Sequence, residues 1–65
     1  MQILINGEPA ATEARNLDEL CASLGLADQK IATALNGSFV AAAMRTRTAL
    51  APSDEIEIVS PRQGG

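Results

Sequence analysis

Sixty-five residues with a net charge of −3 make one small domain near the lower limit for unaided folding, with no room for a deep active-site cleft beside its core. Five basic residues are too few for the basic face that nucleic acid demands, and a mildly acidic surface is steered toward a basic partner instead. A lone cysteine excludes an internal disulfide, the lack of histidine removes the usual general base and zinc ligand, and the longest apolar run, Phe39 to Met44, is far too short to span a bilayer.

The chain opens with a strand over residues 2–6, where Ile3 and Ile5 share one face and Gln2, Leu4 and Asn6 the other. Asn6-Gly7 signals a two-residue hairpin, because a type I′ turn needs positive φ at both central positions. The return strand, about Glu8 to Thr12, contains Pro9 and must lie at an edge, since proline donates nothing to a ladder. No basic segment follows Met1 to act as a signal peptide, which together with the single cysteine points to the cytoplasm.

Asn16 is placed to cap a helix, and Glu19 can reach back as in a capping box. Leu17, Leu20, Cys21 and Leu24 then fall at i, i+3, i+4 and i+7, one apolar stripe, and Gly25 stops the helix with Leu26 folding back on its last turn. Residues 31–35 read as a third strand, Asn36-Gly37 repeats the hairpin signal, and Ser38-Phe39-Val40 is the short return. The 41–53 stretch is less regular: Ala41 to Met44 favours helix weakly, and Pro52-Ser53-Asp54 reads as a turn. Residues 55–59 form the last strand, with Ile56 and Ile58 facing one way and Glu55, Glu57 and Val59 the other.

One helix and four or five strands bury both apolar surfaces only if the helix covers one face of the sheet, which is an α+β architecture. The first and last strands share an Ile-x-Ile alternation and should lie side by side, parallel, at the centre. Twelve of the apolar residues are alanines, so the core rests on the large ones, among them Ile3, Leu17, Leu20, Leu24, Phe39 and Ile56.

No catalytic constellation is present. Glu55 and Glu57 alternate with isoleucines and read as a solvated strand face. Cys21 sits on the leucine stripe and reads as a small buried hydrophobe rather than a nucleophile or persulfide carrier. Arg45 and Arg47 suit an ordinary solvated loop better than a docking pair for a nucleotide or an acidic partner. Leu4 faces away from the helix, with Val59 expected beside it; an exposed apolar patch there would dock a partner unless the 41–53 loop covers it. The chain then ends Pro61-Arg62-Gln63-Gly64-Gly65. Lacking side chains, two glycines can pass through a narrow channel and present a carboxylate at its far end. The six residues after Val59 reach about 20 Å when extended. A carboxylate is a poor electrophile and must be activated, most simply by adenylation.

The opening Met1-Gln2-Ile3-Leu4-Ile5-Asn6-Gly7-Glu8, the Leu17-Asp18-Glu19-Leu20 helix, the Ala34-Leu35-Asn36-Gly37 turn, the Asp54-Glu55-Ile56-Glu57-Ile58-Val59 strand and the Gly64-Gly65 end occur in an order and spacing that resemble the ThiS family, the sulfur carriers of thiamine biosynthesis. The resemblance covers essentially the whole chain. It implies a β-grasp, ubiquitin-like domain over residues 1–60 and a flexible Gly-Gly tail over 61–65. It also implies that an E1-like adenylyltransferase uses ATP to adenylate Gly65. Sulfur from a cysteine desulfurase or another donor then makes a thiocarboxylate, and thiazole synthase consumes it. The carrier would bind no cofactor and supply no catalytic residue. Gly64 would allow passage of the tail, and Leu4, Val59 and Arg62 are candidates for partner docking.

Some residues depart from the family pattern. Arg62-Gln63 replaces an apolar residue before the glycines, Ser53-Asp54 stands where Gly-Asp is common, and Ala41-Ala42 replaces a proline and a basic residue. Three other readings remain open: the small subunit of molybdopterin synthase, a ubiquitin-like modifier of lysines, and an interaction domain with an incidental tail.

Overall fold

The computed structural model describes residues 1–60. The elements run β1 (Gln2–Ile5), β2 (Glu8–Ala11), α1 (Leu17–Ser23), β3 (Ala32–Leu35), β4 (Ser38–Val40), a 3-10 helix (Ala42–Arg47) and β5 (Glu55–Val59). The two Asn-Gly pairs make the two hairpins. Asn6 and Gly7 have φ of 51° and 85°, and Asn36 and Gly37 have 50° and 86°, so all four sit in the left-handed region a type I′ turn requires.

The helix is bounded as its ends dictate. The Asn16 side chain accepts from the Glu19 amide at 2.8 Å. Glu19 reaches one residue further back than a capping box would take it, accepting from the Arg15 amide at 2.8 Å and pairing with the Arg15 guanidinium at 3.3 Å. The donated Arg15 N–H holds the Glu19 carboxyl below its ordinary pKa, so this contribution is present above the usual carboxylate range and fades as the pH falls through it. At the other end Leu24 caps the helix, Gly25 turns at φ 77°, and the Gly25 and Leu26 amides donate to Ala22 and Cys21 at 3.0 and 2.9 Å, a Schellman closure.

The five strands lie in the order β2-β1-β5-β3-β4. The last strand is therefore the middle one. It runs parallel to β1, with Leu4 opposite Glu55 and Ile5 opposite Ile56, and antiparallel to β3, with Thr33 opposite Ile58 and Leu35 opposite Ile56. Pro9 lies in β2, an outer strand, where its missing N–H is harmless.

Ile3 and Ile56 from the sheet meet Leu17, Leu20 and Cys21 from the helix in a core whose members are each no more than 2% exposed. Each large side chain there contributes about 1.5–3 kcal/mol through removal from water. Two residues counted toward the core from sequence lie outside it. Leu24 is 45% exposed because the helix ends at its own position, and Phe39 is 73% exposed because its register opposite Ala34 puts it on the other sheet face.

The 3-10 helix packs against α1, and Asn16 and Ala49 form an antiparallel bridge, so this connection lies on the helix side of the sheet. It ends in a turn that places Ser53 at φ 72°, and the Ser53 amide donates to Gln2 at 2.7 Å. A non-glycine residue in that region carries steric strain. Ser53→Gly is therefore expected to stabilise the fold by about 0.5–1 kcal/mol, read as a rise of a few degrees in Tm. A lower Tm would mean that the serine side chain contributes more than its backbone strain costs.

Candidate functional site

The sheet has one face under the helix and one face open. Pairing carries the open face from strand to strand: Pro9 and Leu4, then Glu55 and Glu57, then Ala34 and Ala32, then Phe39. Val59 stands at its far end, 61% exposed, opposite Ala32. The alanines between Val59 and Phe39 add little height, so the two large side chains stand above that half of the face. The carboxylates of Glu55 and Glu57 lie along the middle strand, and no lysine or arginine occurs in any of the five strands. The face is thus apolar and acidic, suited to a partner offering apolar pockets and basic groups.

Leu4 and Val59 do lie on this common face, but not beside each other. Leu4 is half-buried opposite Glu55, and Val59 is four residues further along the same strand, about 13 Å away at the usual strand rise. The 41–53 connection, being on the helix side, does not roof this face. Phe39 is the residue sequence reasoning missed. The two-residue Asn36-Gly37 turn pairs Leu35 with Ser38 and so puts Phe39 opposite Ala34, on the side away from Thr33 and Leu35; the turn alone carried that information.

Cys21 is buried. Desolvation pushes its thiol pKa up, with nearby Arg45 opposing and Asp18 assisting, so the thiolate needed for nucleophilic work is disfavoured. Arg45 is not a solvated loop residue. Its Nε donates to the hydroxyl of buried Thr33 at 3.1 Å and its Nη2 donates to the Ile31 carbonyl at 2.8 Å, while the Thr33 hydroxyl donates to the Val40 carbonyl at 2.8 Å. The arginine ties the 3-10 helix to β3. Arg47 remains exposed.

Among the described residues, no cluster of three or more His, Cys, Asp or Glu could hold a metal, and no helix is long and apolar enough to cross a membrane. An open hollow near the N-terminus is lined by Met1, Thr12, Glu13, Ala14, Arg15 and Leu50. Arg62, Gly64 and Gly65 lie outside the described residues.

A five-stranded mixed sheet with one helix across one face, and its first and last strands parallel at the centre, defines a β-grasp domain of the ubiquitin-like class. The model of the ThiS family matches residues 3–65, and the chain belongs to that family. Among solved structures, it is similar to the crystal structure of the thiamine biosynthesis protein ThiS from Geobacter metallireducens, at 25% identity with a TM-score of 0.84 and all of each chain covered. No curated protein matches the chain.

The burial of Cys21 sets its chemistry. At pH 7.5 a maleimide is expected to label the native Cys21 thiol at least about a hundredfold more slowly than the thiol of the urea-unfolded chain. Because the folded-state pKa is raised, stability is retained below the ordinary thiol pKa and lost as the pH rises past it. Equal labelling rates in the native and unfolded states would show the thiol to be accessible.

Proposed function

We propose that this protein is the sulfur carrier of thiamine biosynthesis and that the carboxylate of Gly65 is its working group. The observation that carries the reading is the ThiS family match, which runs through Gly64 and Gly65. A Gly65 oxygen attacks the α-phosphorus of ATP held by an E1-like adenylyltransferase, giving an acyl-adenylate and pyrophosphate. The terminal sulfur of the desulfurase persulfide displaces AMP to give an acyl persulfide. A second thiol, such as that of the excess cysteine, cleaves its S–S bond, releasing the thiocarboxylate and leaving a disulfide on the donor. Thiazole synthase then takes the sulfur. Each step follows from ordinary reactivity: AMP is a good leaving group, and a thiocarboxylate is a better nucleophile than a carboxylate. The partners supply the catalysis; this chain supplies the handle and the address.

The address is the open sheet face. Leu4, Phe39 and Val59 provide apolar anchors, and Glu55 and Glu57 meet basic groups on the adenylyltransferase. Arg62 extends this contact along the tail. Gly64 admits the tail to the active site, and the six residues after Val59 give about 20 Å of reach.

Incubation with ATP, the adenylyltransferase, a cysteine desulfurase and cysteine is expected to shift the intact mass by sulfur for oxygen, with fragmentation placing the change on Gly65. Deleting Gly65 abolishes the shift, and Gly64→Val impairs it severely. Sulfur found on Cys21 instead, or no shift in a folded, partner-bound protein, refutes the reading. Transfer from the thiocarboxylated protein to the molybdopterin synthase large subunit but not to thiazole synthase would favour the pterin pathway, and an isopeptide product would favour a protein modifier.

Docking is tested separately. Phe39→Asp is expected to weaken adenylyltransferase binding by about tenfold or more, with the circular dichroism spectrum retained. Affinity equal to the wild type places the contact on another surface.

A further inference from the structure

The β1 strand stops at Ile5, yet β5 continues to Val59. The parallel ladder between them ends with the Asn6 amide donating to the Ile56 carbonyl at 2.8 Å. Beyond that point the backbone turns back through Gly7 into β2, and among the described residues no main chain faces Ile58 on that side. The Asn6 side chain takes over. Its Oδ1 accepts from the Ile58 amide at 2.8 Å, and its Nδ2 donates to the Ile58 carbonyl at 3.1 Å. A carboxamide has the donor and acceptor of a peptide unit, so it extends the ladder by one residue of β5 without any strand beside it. On the opposite edge of β5, β3 reaches Val59 through Ala32. The end of the strand is therefore held on both sides, on one of them by a single side chain.

We infer that Asn6 is a positioning residue for the modification of Gly65: it fixes the point and direction at which the chain leaves the sheet. This rests on the sulfur-carrier reading. A tail that must enter a partner's active site is tethered at this point, and a loose tether point widens the range of unproductive positions its far end samples. Small misplacements of a reacting group are costly to the rate. Asn6 bonds the main chain of Ile58 and is not one of the apolar anchors Leu4, Phe39 and Val59, so its effect is expected on turnover rather than on docking.

The turn itself does not require this residue. Glycine adopts φ of 51° readily, so Asn6→Gly keeps the hairpin and removes only the two bonds to Ile58. The full-length variant is assayed with ATP and the adenylyltransferase by pyrophosphate release, and by amide hydrogen exchange alone. The expected result is a kcat lower by about tenfold with KM within about twofold of wild type. Exchange at the Ile58 amide should rise about tenfold while that at Ile56 stays unchanged. Asn6→Asp, which keeps the acceptor for the Ile58 amide but sets an oxygen against its carbonyl, should fall between the two, and it serves as the test if the glycine variant does not fold. Faster exchange at Ile58 with an unchanged kcat overturns the inference. So does a raised KM with kcat intact, which would make Asn6 part of the docking surface. A wild-type protein that releases no pyrophosphate fails differently: it sinks the sulfur-carrier reading, and the positioning role with it.

Discussion

The pairing of β5 on both of its edges is the constraint on which the domain depends. The strand takes a partner from the first residues of the chain on one side and from the middle on the other. Until it inserts, the two hairpins have no contact through the sheet, and Ile56 is missing from the core that joins sheet to helix. The long sequence separation between β1 and β5 makes this closure entropically demanding. Each Asn-Gly turn helps at its own end of the strand. Asn6 binds Ile58, while the Asn36 side chain accepts from the Glu55 amide at 2.9 Å and donates to Asp54 at 3.0 Å. The same two asparagines thus shape the hairpins with their backbones and fasten the central strand with their side chains.

Most of the architecture was legible because it rests on local signals. Turn chemistry, the alternation in β1 and β5 and the Asn16 cap each act over a few residues. Together they led to a helix over one face of a sheet with parallel first and last strands. Phe39 looks like a core residue by hydrophobicity alone, and only the register set by the Asn36-Gly37 turn puts it on the open face. Leu24 looked like part of a stripe whose periodicity outlasts the helix. Arg45 looks like a solvated loop residue in sequence because its partners, Thr33 and the Ile31 carbonyl, are remote along the chain and only the fold brings them within reach. The side-chain contact of Asn6 across 52 residues had no sequence signal at all.

The division of labour follows from size. Among the described residues, a core of five fully buried apolar side chains stabilises one helix on one sheet and leaves the other sheet face open. In an isolated domain that would be a liability, since Phe39 and Val59 stand in water and β4 is an outer strand. Glu55 and Glu57 on the same face, with the short β4 and the proline of β2, oppose self-association, because a second copy would bring like charges together.

The buried Cys21 has one more consequence. An activated acyl group at a chain terminus is an open invitation to any thiol within reach, and a thiol on the same molecule meets it at high effective concentration. Capture would give a macrocyclic thioester, a dead end that consumes the activated end before an external sulfur donor arrives. The chain has a single cysteine, and its place on the buried side of α1 withholds the sulfur atom from that reaction. In the proposed sulfur carrier, packing would thus act as a protecting group, keeping the domain chemically silent toward its own activated terminus.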